Sequence, residues 1–267
     1  MTVALITLAA DKGAPGVTTA ALALAAVWPA RAMVAECDPS GGDLVYRLPG
    51  ADGSPLNPDL GLLSLAATAR RGLHPGQAWQ HAQVLHGGLD VLVGLSTAEQ
   101  AGGLAGLWST FGQAFSLVPD ADVFADCGRL GPGAPTLELI AHSSLLLLVA
   151  RATVDQVAHL RDRIAVLSAA LERGSFAGPP IGVVLVADPD QRKRTVEQVS
   201  ALLRAAQLSA DVVGVLANDP KGAALLAGEW GGRLDKSLLI RSAREVALGL
   251  YQRLYARAGE QADRMGE

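Results

Sequence analysis

Asp11-Lys12-Gly13-Ala14-Pro15-Gly16-Val17-Thr18-Thr19 decides how this chain is read. Before it, residues 3–9 are an apolar run dense enough for a buried strand. After it, residues 20–28 are rich in Ala and Leu and favour helix. A strand that turns through small residues into a helix is the frame of a phosphate-binding loop. Loop N–H groups and the helix N-terminus together face an anion with positive potential. The common form of such a loop is G-x-x-x-x-G-K-[ST]. Here Gly16 and Thr18 keep their places, while Asp11 stands at the first glycine and Val17 at the lysine. Asp11 puts negative charge where phosphates would lie. An ordinary Gly/Pro turn between a strand and a helix would use the same residue types.

Lys12, four residues before Gly16, gives the loop a second reading. The pattern resembles the deviant Walker A loop of the MinD/ParA family, K-G-G-x-G-K-T-T. Lys12, Gly13, Gly16, Thr18 and Thr19 match it; Ala14 replaces a glycine, Pro15 fills the free position and Val17 replaces the second lysine. The resemblance implies that residues 12–19 hold a nucleotide's phosphates. It also implies that Lys12 acts catalytically, reaching across a dimer to the partner subunit's phosphates.

Composition narrows the class. At 267 residues the default is one domain. Half of the residues are hydrophobic, enough for a large core. Only 4% are aromatic, so Ala, Val and Leu must build that core, which suits helices packed closely on a sheet. The net charge of −4 argues against a bulk nucleic-acid binder. No apolar run approaches the roughly 18 residues that span a bilayer, and no signal peptide is legible, so a cytoplasmic protein is expected. Two cysteines, Cys37 and Cys127, are too few for a disulfide framework or a Cys-rich zinc site and read as buried thiols.

The next signals follow in order. Residues 32–35 read as a strand ending in Glu36-Cys37-Asp38-Pro39-Ser40-Gly41-Gly42-Asp43. A carboxylate at a strand end can orient water; Asp38 could equally cap a turn. The segment resembles the family's D-x-D-P-x-G motif, with Glu36 at the first Asp and Asp38 at the second. The resemblance gives Asp38 a catalytic place near the attacking water. Residues 48–59, with Pro49, Pro55 and Pro58, read as a surface loop and 60–71 as a helix. His74, His81 and His86 share no helical face and read as solvated; a metal site is the alternative. Residues 88–94 read as a strand and 96–115 as one long helix weakened by glycines.

Within residues 122–127, Val123, Phe124 and Ala125 form an apolar strand that leads into Asp126, then Cys127-Gly128-Arg129. This is similar to the family's Walker B strand. By that resemblance Asp126 serves Mg²⁺ through water and Thr18 is its direct hydroxyl ligand. Arg129 is either a surface guanidinium or a cation that reaches a phosphate in place of the missing lysine. Residues 144–150 read as a strand. An amphipathic helix follows over 155–173, with Val157, Leu160, Ile164, Leu167 and Leu171 inward. Residues 181–187 read as a strand ending at Asp188-Pro189-Asp190, where relatives often carry an Asn that reads adenine. Arg192-Lys193-Arg194 opens the next helix, as a solvated face or a contact for DNA or an acidic partner. The last strand, 211–217, leads to Asn218-Asp219-Pro220. This is similar to the family's turn against the base, so Asp188 and Pro220 join the nucleotide-binding set. A helix over 241–257 closes the fold. The tail over 260–267 is acidic to neutral and lacks a basic amphipathic membrane anchor.

Strands alternating with helices imply an α/β fold: a mostly parallel sheet of seven or eight strands with helices on both faces. The resemblance, to the MinD/ParA branch of the SIMIBI P-loop proteins, covers nearly the whole chain. It implies an ATP- and Mg²⁺-binding switch that dimerises on nucleotide, acts on a protein partner and hydrolyses slowly because Val17 replaces the lysine. The alternatives are a pseudo-ATPase scaffold and a SIMIBI-type small-molecule enzyme.

Overall fold

The computed structural model describes residues 3–172, 178–229 and 231–265, with side chains described for 3–170, 178–229 and 231–256. Its strands are β1 (Leu5–Ala10), β2 (Ala32–Glu36), β3 (Gln83–Val84), β4 (Asp90–Leu92), β5 (Asp122–Arg129), β6 (Leu145–Arg151), β7 (Ile181–Ala187) and β8 (Ala210–Ala217). They form one sheet in the order β3-β4-β2-β5-β1-β6-β7-β8. Every pairing is parallel except β3 with β4. The helices are α1 (Val17–Ala26), α2 (Leu44–Arg47), α3 (Leu62–Ala69), α4 (Trp108–Phe115), α5 (Leu137–Ile140), α6 (Val154–Glu172), α7 (Arg192–Ala205), α8 (Pro220–Leu226) and α9 (Leu238–Met265).

Period-two alternation along the strands feeds two cores. Leu5 and Ala9 of β1 join Leu65, Phe111, Ile140, Ile164 and Leu203 beneath α3 to α7. Ile6, Leu8 and Ala10 join Ala21, Leu24, Ala243 and Val246 beneath α1 and α9 on the other face. All six residues of β1 are buried, as a strand covered on both sides requires. Small residues allow close approach: a Cβ on Gly214 of β8 would stand 2.5 Å from the Val246 side chain of α9.

A buried carboxylate at the amino end of β5 ties these layers together. Asp122 accepts from Ala4 N at 2.7 Å, from the Trp28 indole at 2.6 Å and from the Tyr255 hydroxyl at 2.5 Å. It therefore joins β1, the end of the α1 segment and α9 at the sheet edge remote from residues 11–19. Burial, then the Asp122 bond, raises the Tyr255 phenol above its ordinary value.

Several local expectations change. Residues 96–115 are not one helix: a 3-10 stretch, Ala98–Leu104, and α4 are separated at Gly106, whose φ of +75° suits glycine and breaks the helical path. The strand over 88–94 shortens to β4 and gains the antiparallel edge strand β3. Leu171, the helix end at Arg173 and the charge of the 260–267 tail lie outside the described side chains.

Candidate functional site

The carboxyl edge of β1 delivers the loop. Gly16, at φ +96°, is the N-cap of α1 and supplies no side-chain cap. The first-turn N–H groups of Val17, Thr18 and Thr19 have no partner within the helix, so they face the space over the loop. Lys12, Gly13 and Ala14 are exposed, while Pro15 is buried. Val17 is 8% exposed and packs in the core beneath α1, which leaves its backbone N–H as its polar group here.

Two arginines flank this loop. Arg163 of α6 forms a hydrogen-bonded ion pair with Asp11, both side chains largely shielded. The negative charge expected from Asp11 is thus countered inside the protein, which corrects its reading as a charge facing phosphates. Arg129 donates from Nη2 to the Gly13 carbonyl at 3.0 Å. Its exposed guanidinium is tied to the loop by that bond. Gln156 of α6 also lies against the loop: a Cβ on Gly13 would come within 3.2 Å of its amide nitrogen. Arg163 and Gln156 carry no local sequence signal; they reach the loop only because β6, which leads into α6, pairs with β1.

Acidic groups gather next to the loop. β5 ends beside β1, so Asp126 comes under α1, where Thr18 Oγ1 donates to its Oδ2 at 2.5 Å. Gly128 N donates to its Oδ1 at 3.0 Å. Asp126 is 1% exposed, and burial lifts its pKa to about 6 against these two bonds, with the charge of Asp38 adding to the rise. Asp38 is half-buried and accepts from Ser40 N at 2.8 Å. Its other oxygen would be 1.9 Å from a Cβ on Gly128, so glycine there is what lets Asp38 lie against the end of β5. Glu36 is buried, accepts from Leu44 N at 3.2 Å and Gly94 N at 2.9 Å, and is pushed up to about 7, first by burial.

Among the described residues, no three His, Cys, Asp or Glu side chains form a metal-holding group. Mg²⁺ does not need one: it takes one or two protein oxygens and completes its shell with water and phosphate oxygens. A Thr18 hydroxyl touching a buried, under-compensated Asp126 fits that requirement.

Cys37 and Cys127 follow the register pair Glu36–Asp126 on neighbouring strands, and both are buried and unbridged. At the other end of the site, Asn218 Nδ2 donates to Asp188 Oδ1 at 3.0 Å, which brings the ends of β7 and β8 together. Pro220 opens α8 beside them. Asp219 is shielded, which would raise its pKa, but the N–H groups of Gly222, Leu239 and Leu238 outweigh this and hold it low. His74 and His86 are exposed, whereas His81 corrects the solvated reading: Ser64 and Thr68 hydroxyls hold its two ring nitrogens at 2.8 and 3.1 Å. In the basic run, Arg192 pairs with Glu245, and Lys193 and Arg194 are exposed.

No family model matches the sequence, and no curated protein matches it. Solved structures do match. A ParA family ATPase from Chlorobium tepidum superposes with a TM-score of 0.68 at 14% identity, covering 92% of this chain and 98% of that one. The fold is that of the MinD/ParA ATPases. The septum site-determining protein MinD from Pyrococcus horikoshii, in complex with Mg-ADP, matches this MinD/ParA fold at a TM-score of 0.64 and 15% identity, over 92% of this chain and 94% of that one. A Cyanothece McdA variant in complex with ATP matches at 0.65 and 17%, over 93% and 96%. The expected mostly parallel sheet, with eight strands and helices on both faces, is therefore met.

Proposed function

We propose that this chain is a MinD/ParA-like nucleotide switch that binds a nucleoside triphosphate with Mg²⁺, turns it over slowly and positions or regulates a partner assembly. The resemblance names ATP. The observation that carries the reading is the Thr18–Asp126 hydrogen bond beneath an uncapped α1. In this reading the loop N–H groups, with Lys12 and Arg129, hold the phosphates. Thr18 and Asp126 hold the cation, which would draw charge from the phosphate oxygens. Asp38 orients the attacking water and takes up its proton. Asp188 and Pro220 border the base. Lys12, exposed at the loop tip, would act across a nucleotide-linked homodimer. Among the described residues no helix is long and apolar enough to cross a membrane; a cytoplasmic place of action is part of the same proposal.

One observation favours a second reading, a pseudo-ATPase scaffold: Val17 is buried where a lysine would face phosphate. Calorimetric titration with ATP, GTP and ADP, with and without Mg²⁺, separates them. Mg²⁺-dependent binding supports the switch; absence of binding by all three supports the scaffold.

A further inference from the structure

We infer that the free edge of β8 is an interface for a second copy of this chain, joined edge to edge about a two-fold axis, an inference that does not rest on the proposed nucleotide site. The two edges of the sheet are finished differently. At the β3 edge the proline-containing loop covers the strand: Ala51 N donates to Val84 O at 2.8 Å and His86 N to Pro49 O at 3.0 Å. At the other edge, among the described residues, β8 pairs with β7 alone. It is eight residues long, and an edge of that length presents a row of backbone donors and acceptors to a further strand. Its carboxyl end is closed: Ala217 N donates to the Ser242 hydroxyl at 2.9 Å, and Arg192 of α7 pairs with Glu245 of α9 beside Val215.

The open part lies in a groove between two helices. Asp211 is exposed, and Val212, Val213 and Gly214 are half-buried. Cavities of about 640, 180 and 410 Å³ follow one another along this edge, bounded by α7 and α9. Val213 is an extra residue relative to β7, a bulge that interrupts the ladder there. Contact between two copies therefore depends on the helical walls as well as on a short stretch of backbone.

The charges on those walls name the occupant. Glu197 and Arg204 line the groove from α7, and Glu245 and Arg253 line it from α9. Both helices run antiparallel to β8: Ser242 lies at Ala217, whereas Arg204 and Arg253 share a cavity with Ala210. Each wall thus carries its acid toward the carboxyl end of the strand and its arginine toward the amino end. Acid and arginine are seven positions apart on α7 and eight on α9, roughly 10 and 12 Å along the helices. Between them stand the small residues Ser200 and Gly249, and a Cβ on Gly249 would meet nothing within 4 Å. A two-fold axis through this middle, near Val213, turns one copy end for end. Each Glu197 then faces the partner subunit's Arg204, and each Glu245 faces the partner subunit's Arg253. Among the described residues Glu197, Arg204 and Arg253 take part in no ion pair within the chain, so all three are open to such pairing. A surface that pairs with itself in this way is isologous, one patch serving both copies. An acidic or a basic peptide in the same groove would meet a like charge on both walls.

The test is sedimentation velocity on the full chain without nucleotide, over a concentration series reaching about 100 μM, at low and at high salt. The wild type is expected to form a dimer as concentration rises, and to lose it in high salt. Arg204→Glu and Glu197→Arg each set like charges face to face at two symmetric places, and each should weaken the dimer at least about tenfold. The double variant Glu197→Arg/Arg204→Glu exchanges the two signs and should restore it. Both side chains are exposed, so circular dichroism should show all three variants folded. A chain that stays monomeric across the series, or that dimerises only when nucleotide is added, overturns the β8 interface and leaves the nucleotide site standing. A dimer that neither single reversal weakens also overturns it, as does one that the double exchange fails to restore.

Discussion

Thr18 and Asp126 lie 108 residues apart in sequence and share a 2.5 Å hydrogen bond beneath α1. The bond joins the loop that would hold phosphates to the strand end that would serve a cation. Asp126→Ala is expected to abolish any Mg²⁺-dependent gain in nucleotide affinity while circular dichroism remains that of the wild type. Titration with and without Mg²⁺ reads the effect; an unchanged Mg²⁺ dependence would show that Asp126 is only structural.

Arg163 guards the loop against its own aspartate. The Asp11–Arg163 side chains are 15% and 17% exposed, between a surface pair and a fully buried one. Removing one partner leaves a shielded charge unpaired, so Arg163→Ala should cost roughly 2 kcal/mol of stability. It should also weaken phosphate binding, since Asp11 would then face the loop uncompensated. The double variant Asp11→Ala/Arg163→Ala should recover most of both losses. Urea unfolding and nucleotide titration of the three variants check this, and a double variant no better than Arg163→Ala would refute it.

Glu36 makes stability depend on pH. Its pKa rises from 4.5 to about 7, so the folded state holds the proton more tightly than the unfolded chain does. That contribution is fully present below the unfolded value and is lost as pH rises through about 7. The shift corresponds to about 3 kcal/mol. Glu36→Gln loses an acceptor to Leu44 N or Gly94 N at every pH, but it removes this slope. Stability of the variant relative to wild type should therefore rise between pH 5 and pH 8 in urea titrations. Parallel curves would exclude a buried, titrating Glu36.

What could be read in advance follows the range of each interaction. Gly16, Thr18, Asp38 and Asp126 lie within strand–loop signals a few residues long, and the parallel sheet brings those strand ends together without further information. Arg163, Gln156 and the Asp122–Tyr255 contact act over more than a hundred residues and leave no periodic mark. The apolar spacing in residues 96–115 serves a 3-10 turn and an α-helix alike, and only the backbone at Gly106 separates them. β3 has two residues, too few for alternation to show.

Cys37 and Cys127 are expected to stay reduced. Both are fully buried, and desolvation raises both thiols well above their ordinary range, so little reactive thiolate forms at neutral pH. Unfolding under non-reducing conditions should expose two free thiols to a thiol reagent, whereas the native protein should react slowly. A count of zero after unfolding would mean a bridge.

Val17 should limit hydrolysis more than binding. Its side chain is packed in the core at the first position of α1 and offers neither donor nor charge. Charge builds on the phosphoryl oxygens as the bond breaks, and one missing preorganised donor typically costs about 2.7–4 kcal/mol at that point. Wild-type turnover should accordingly be very slow or undetectable, with binding weak but measurable. Lys12 and Arg129 are the cations this reading leaves at the loop. Val17→Lys should lose about 1–2 kcal/mol of stability from the core yet bind nucleotide at least about tenfold more tightly, its stem covering the apolar surface and its ammonium reaching the loop. Val17→Met, of similar length without charge, should show no such gain. Lys12→Ala should weaken nucleotide binding further or prevent nucleotide-linked dimerisation, read by calorimetry and sedimentation. If the wild type hydrolyses nucleotide as fast as Val17→Lys, and Lys12→Ala changes nothing, phosphate contacts here are made by other groups.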